Sequence, residues 1–151
     1  MNQEEMLDRM GIEELVYQYA NAADELDEQA FAACFAPGAI IDSAGLVLEG
    51  DLAGTVMHFL KKQFVFTMHN VQNRRYKIDG TQATGTTYCL ASHVEEKDGV
   101  ATKLDWYIRY HDELVKQNGR WLFQKRRLEL LFTTTGPTQI VAQIPSQRRR
   151  S

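Results

Sequence analysis

The sequence predicts one α+β domain in which three helices, interleaved with one or two short strands, precede four long antiparallel strands. Long strands twist and curl, so the sheet is expected to form a cone whose open side the helices cover, enclosing an apolar pocket. Three observations predict this. Apolar residues recur every three or four positions through the first part of the chain, the period of helices. After about residue 65 the period falls to two, in stretches rich in Thr, Tyr and Val. Those stretches are parted by Asp79-Gly80, Asp98-Gly99 and Asn118-Gly119, tight-turn pairs about twenty residues apart.

The first helix is expected from about Glu4 to Leu26, with Ile12, Leu15, Val16, Tyr19, Ala23 and Leu26 as its apolar stripe. A short second helix should run from Glu28 to Phe35 and stop at Pro37-Gly38. Two short strands follow, Ala39 to Asp42 and Leu46 to Glu49, joined by a turn at Ser43-Ala44-Gly45. Asp51 is placed to cap a third helix reaching about Phe64, with Leu52, Val56, Phe59 and Leu60 on one side. The long strands are then His69 to Ile78, Ala83 to Glu96, Val100 to Lys116 and Arg120 to Thr134. The domain is expected to occupy residues 1–135, with 136–151 as a tail.

A chain of 151 residues buries about two-thirds of its unfolded surface and needs no staple to fold. Its net charge of -3 gives no electrostatic grip on nucleic acid or membrane. The cluster Arg148-Arg149-Arg150 reads as a solvated tail. Cys34 and Cys89 are far apart and form no CxxC pair. The polar N-terminus has no signal-peptide core and no segment approaches a membrane span, so the expected location is the cytoplasm, with both thiols reduced. Metal spacings such as HxxxH, HExxH and DxD are missing, as are GxGxxG and GxSxG. The expectation is therefore an activity without metal, nucleotide or flavin.

The residues that could carry chemistry are few. His69 opens a long strand, and a neutral imidazole there is either a hydrogen-bonded core residue or a proton acceptor. As an acceptor it needs a carboxylate to fix its tautomer. Asp24, at the end of the first helix, is a candidate, with a solvated helix end as the alternative. A negative charge near a helix C-terminus is mildly unfavourable and suggests another reason for its presence. Tyr19 stands about 140° around the helix from Asp24, so helical geometry alone does not bring them together. In the last strand, alternation puts Arg126 on a face with Leu122, Leu128, Leu130 and Phe132, where a charge wants a salt-bridge partner or an anionic ligand. His93 lies on the second long strand, while His58 and His111 read as surface or structural residues.

The stretches GIEELVYQYANAADELDEQAFAACFAPGAIID, TMHNVQNRRYKIDGTQATGTTYCLASHV and YHDELVKQNGRWLFQKRRL resemble the opening, central and last parts of SnoaL-like domains, of the superfamily named after nuclear transport factor two. The likeness covers roughly residues 8–135 and is most similar to the branch with scytalone dehydratase, bile-acid dehydratase and the lindane dehydrochlorinase. The resemblance implies a cofactor-free lyase acting through a His–Asp dyad, which falls on His69 and Asp24. It also implies a helix-borne tyrosine at Tyr19, an arginine after a GxWxF stretch at Arg126, and a second histidine at His93. In those roles His69 takes a proton from carbon, Asp24 orients it, Tyr19 donates to an enolate oxygen, Arg126 stabilises negative charge and His93 protonates a departing hydroxyl. The fold hosts other activities, so a polyketide cyclase, a ketosteroid-type isomerase and a non-catalytic dioxygenase small subunit or ligand-binding module stand as alternatives. The expected partners are a small hydrophobic, cyclic or aromatic substrate and further copies of the chain, as a dimer or trimer.

Overall fold

The structure is a computed structural model and describes residues 1–148. Helix α1 spans Gln3–Glu25, with the Asn2 side chain accepting from Glu5 N at its start. Of its expected stripe, Ile12, Leu15, Val16, Tyr19 and Ala23 are buried and Leu26 is half-buried, while Ala20 joins the inward face. Leu26 ends it in the left-handed region, at φ 56, and the Asp27 amide turns back to Ala22 O at 2.9 Å. Asp27 then caps α2, Glu28–Ala32. Strands β1 (Phe35–Ser43) and β2 (Leu46–Leu48) follow, then α3 (Leu52–Gln63), capped by Asp51. The long strands are β3 (Phe66–Asp79), β4 (Gln82–Lys97), β5 (Val100–Gln117) and β6 (Arg120–Pro137).

The six strands form one sheet in the order β2-β1-β6-β5-β4-β3. Every pairing is antiparallel except β1 with β6. The helices lie across one face of this curled sheet, with α1 against β3 and β6. Between the two layers sits a core built on Ile12, Val16, Phe31, Ile108, Leu114 and Phe123. This is the expected α+β architecture.

Several boundaries differ from the expectation, each for a local reason. The second helix stops at Ala32 rather than Phe35, and Pro37 and Gly38 fall inside β1. The register against β6 shifts between Phe35 and Ile40, and this irregularity accommodates a proline without a donor and a glycine at φ 73. β3 begins at Phe66, three residues before His69, which brings Thr67 into the strand. β6 continues through Gly136 and Pro137, paired with Lys103 and Thr102, so the following segment starts at residue 138. On α3 the buried positions are Leu52, Ala53, Met57 and Leu60, and Phe59 is left 43% exposed.

The face assignment in β6 is corrected as well. Strict alternation groups Arg126 with Leu122, but Trp121 and Phe123 are the buried residues at the strand's start. Leu114 pairs with Phe123 and Glu113 with Lys125, which makes Gln124 an extra, bulged residue. One inserted residue exchanges the faces beyond it, so Arg126 turns inward with Trp121 and Phe123.

The expected solvated tail is overturned at Arg148, which is 2% exposed and bonded to Ala23, Asp24 and Thr67. Arg149 and Arg150 lie outside the described residues. Both cysteines are buried and free, and burial pushes each thiol up to about 12. Among the described residues no helix is long and apolar enough to cross a membrane.

Candidate active site

Asp24 stands in the last turn of α1, two residues before the left-handed Leu26. Its carboxylate reaches the first residues of β3. Oδ2 accepts from the His69 backbone amide at 2.8 Å, while Oδ1 accepts from Thr67 Oγ1 at 3.0 Å and meets His69 Nδ1 at 2.7 Å. Thr67 and His69 share a strand face because side chains alternate with period two. A carboxylate without a proton can only accept, so Nδ1 carries a proton, and in the neutral ring Nε2 is the nitrogen with the lone pair. The His69 side chain is 9% exposed and borders an internal cavity of about 440 Å³.

That cavity lies between α3 and the concave face of the sheet. Ile41, Leu48, Val56, Phe59, Trp106, Ile108 and Leu128 supply most of its wall. Tyr19, His69, His93 and Arg126 interrupt the apolar lining. The volume suits a small organic molecule, and Ser43, Thr55, His58, Lys62, Gln63 and Tyr110 add further polar groups to the lining.

His93 is 2% exposed and lies between Phe64 and Trp106, at centroid distances of 4.5 and 4.7 Å. Its Nδ1 faces Leu104 O at 3.2 Å. A carbonyl oxygen cannot donate, so Nδ1 carries the proton and Nε2 is an acceptor. Burial, followed by the neighbouring His69 ring 6.2 Å away, pushes His93 down to about 4. It is therefore neutral at physiological pH.

Arg126 is 1% exposed, and its charge is met inside the protein. Nε and Nη2 donate to the two oxygens of Asp112 at 3.0 and 3.3 Å. The guanidinium also lies over the rings of Tyr110, Tyr19 and Phe123, at 3.7, 4.3 and 4.3 Å. Asp112 in turn accepts from Tyr76 Oη at 2.6 Å. Of the two readings the sequence left for Arg126, the structure supplies the salt bridge and still leaves the residue on the cavity wall. Burial raises the Tyr19 phenol above its ordinary value, so it remains a donor.

Of the residues the sequence singled out, Asp24 and His69 meet directly, His93 lies beside His69, and Tyr19 lies beside Arg126. His58 is exposed, as a surface residue should be, and also borders the cavity from α3. His111 is on the opposite face of β5, held at 2.6 Å by Glu129, which Arg109 also grips. Thr67, Asp112 and Arg148 were missed. Thr67 is two positions before His69, so its face was readable once the strand began early enough. Counting back from the Asn118-Gly119 turn sets Asp112 opposite Lys125, and the Gln124 bulge moves that partner to Arg126. Nothing in a run of three arginines signals that Arg148 turns inward. Among the described residues no cluster of three or more His, Cys, Asp or Glu is arranged to hold a metal ion.

Comparison with known proteins gives the fold the same outline. No curated protein matches the chain. A candidate scytalone dehydratase from Novosphingobium aromaticivorans superposes with a TM-score of 0.78 at 23% identity, over 99% of this chain and 100% of that one. The type 2 hexachlorocyclohexane dehydrochlorinase LinA gives 0.75 at 17% identity, over 94% and 96% of the two chains. A protein of unknown function with a cystatin-like fold, from Nostoc punctiforme, gives 0.68 at 22% identity, over 82% and 91%. At such identities the likeness establishes the fold alone. The family assignment comes from the sequence match, which runs through residues 4–127: the chain belongs to the SnoaL-like domain family.

Proposed function

We propose that the chain is a cofactor-independent lyase of dehydratase type, acting on a small hydrophobic substrate that is cyclic or aromatic. The observation that carries this reading is the 2.7 Å contact between His69 Nδ1 and Asp24 Oδ1, on a ring that borders a largely apolar cavity. A substrate C–H next to a carbonyl is acidified by enolate formation. His69 Nε2 takes that proton, and the bonding electrons move toward the carbonyl oxygen. Tyr19 donates a hydrogen bond to that oxygen, in a setting where few waters compete. The electrons then return to form the carbon–carbon double bond as the adjacent C–O bond breaks. The departing hydroxide takes the proton back from the His69 imidazolium, so the balance is substrate to alkene and water. Asp24 stays ionised throughout and stabilises the transient imidazolium.

Arg126 contributes the field of a fixed cation while staying paired with Asp112. His93 takes a different part from the one the resemblance implies. With its proton on Nδ1, it offers Nε2 as an acceptor that holds a substrate hydroxyl. His69 then serves as base and acid in turn, which requires both transferred groups on one face of the substrate. The same feature favours a second reading, an isomerase, in which His69 returns the proton to a different carbon.

The test is a screen of hydroxylated and keto cyclic compounds read by mass spectrometry. A product lighter by one water supports the lyase, and a product of unchanged mass supports the isomerase. Turnover of any such compound by H69A at the wild-type rate contradicts both.

A further inference from the structure

The last described residue carries an arrangement that the chemistry above does not use. After β6 the chain returns toward α3, and a short 3₁₀ turn, Ser146–Arg148, brings Arg148 under the end of α1. There its guanidinium is 2% exposed. Nη2 donates to Thr67 Oγ1 at 3.0 Å, and lies 3.3 and 3.4 Å from the Asp24 and Ala23 carbonyl oxygens. Nη1 is buried and has no hydrogen-bond partner among the described residues. A buried guanidinium is costly, and an unpartnered donor adds to that cost. The carbonyls at a helix C-terminus attract a cation and offset part of it.

We propose that Arg148 is a positioning residue that holds the Asp24–His69 pair in register through the Thr67 hydroxyl. Arginine can only donate, so Thr67 Oγ1 must accept from it. The one proton of that hydroxyl is then committed to Asp24 Oδ1, 3.0 Å away. The result is a directed chain: Arg148 to Thr67, Thr67 to Asp24, and His69 to Asp24 from the other side. The same cation offsets part of the carboxylate's charge, and so weakens the carboxylate's pull on a proton at His69.

Other charged and titratable groups surround the pair. From β4 come His93 and Cys89, both held neutral at physiological pH by burial. Asp105 on β5 acts on His93, and Arg126 is the second fixed cation near Cys89. Removing Arg148 leaves these in place and strips one positive charge from beside Asp24. The imidazolium form of His69 gains stability, and its pKa moves up.

The catalytic consequence rests on His69 being the base, but the test needs no substrate. The His69 ring nitrogens are titrated by NMR in the wild type, R148M, R148Q and R148K. R148M and R148Q should move the His69 titration upward from that of the wild type, and R148K should move it less than either. R148Q keeps a side-chain donor, so it carries the test if R148M fails to fold. Folded R148M or R148Q with His69 titrating as in the wild type overturns the proposal. Loss of the fold in both also overturns it, since Arg148 would then be structural. Failure of the lyase reading leaves this titration unaffected, and the two can be told apart.

Discussion

In the proposed reaction His69 acts as the base through Nε2, because its other nitrogen is committed. Asp24 makes that assignment by accepting from Nδ1, and the His69 amide and Thr67 hydroxyl hold the carboxylate still. In D24N the amide can present a donor to Nδ1 and reverse the tautomer. Its kcat is expected to fall about 10²- to 10⁴-fold while the folded spectrum is kept, as read by steady-state kinetics and circular dichroism. His93 makes a separate prediction about stability. Its native value of about 4 lies below the ordinary 6.5, so between those limits the unfolded chain binds the extra proton. Stability therefore falls as pH is lowered through that window, by about 3 kcal/mol from this residue. H93Q should flatten that part of a Tm-against-pH curve, and an unchanged slope would contradict the burial account. Asp24 and His69 were legible through the resemblance their neighbouring residues carry. Helical spacing could not show that they meet, because they lie 45 positions apart and are joined only by the packing of α1 on β3.

At the scale of elements, periodicity and turn chemistry revealed most of the architecture. The α1 stripe and the three Asp-Gly and Asn-Gly turns fall where their residue types require. The bulges were not legible, since an extra residue such as Gln124 has no compositional mark. Their effect is large, because the Gln124 bulge decides that Arg126 faces Asp112 and the cavity rather than the far side. Removing one partner of this buried pair strands the other. R126M alone should cost about 3–5 kcal/mol in urea unfolding, and the double variant D112L/R126M less than the single. A double variant less stable than R126M would show that the pair contributes more than mutual compensation.

For the whole molecule, the sheet's curvature and the three helices create a hollow that neither layer encloses alone. The sequence disclosed that a pocket should exist, but not its size, which depends on how far α3 stands from β4 and β5. Ala91 is fully buried at the cavity wall, so A91F should fill part of the hollow and lower affinity for an apolar substrate while the chain stays folded. Beyond the cavity, Leu130, Leu131 and Phe132 are exposed along β6, the patch we propose assembles copies into a dimer or trimer. Sedimentation of F132D should then report a smaller species than the wild type. The central claim is that His69 removes a proton from carbon inside this hollow. The direct measurement incubates cyclic hydroxy-ketones in deuterated water with the wild type and H69A, reading deuterium uptake and water loss by mass spectrometry. The wild type should exchange the carbon proton or eliminate water, and H69A should do neither. Equal rates for the two proteins would contradict the account.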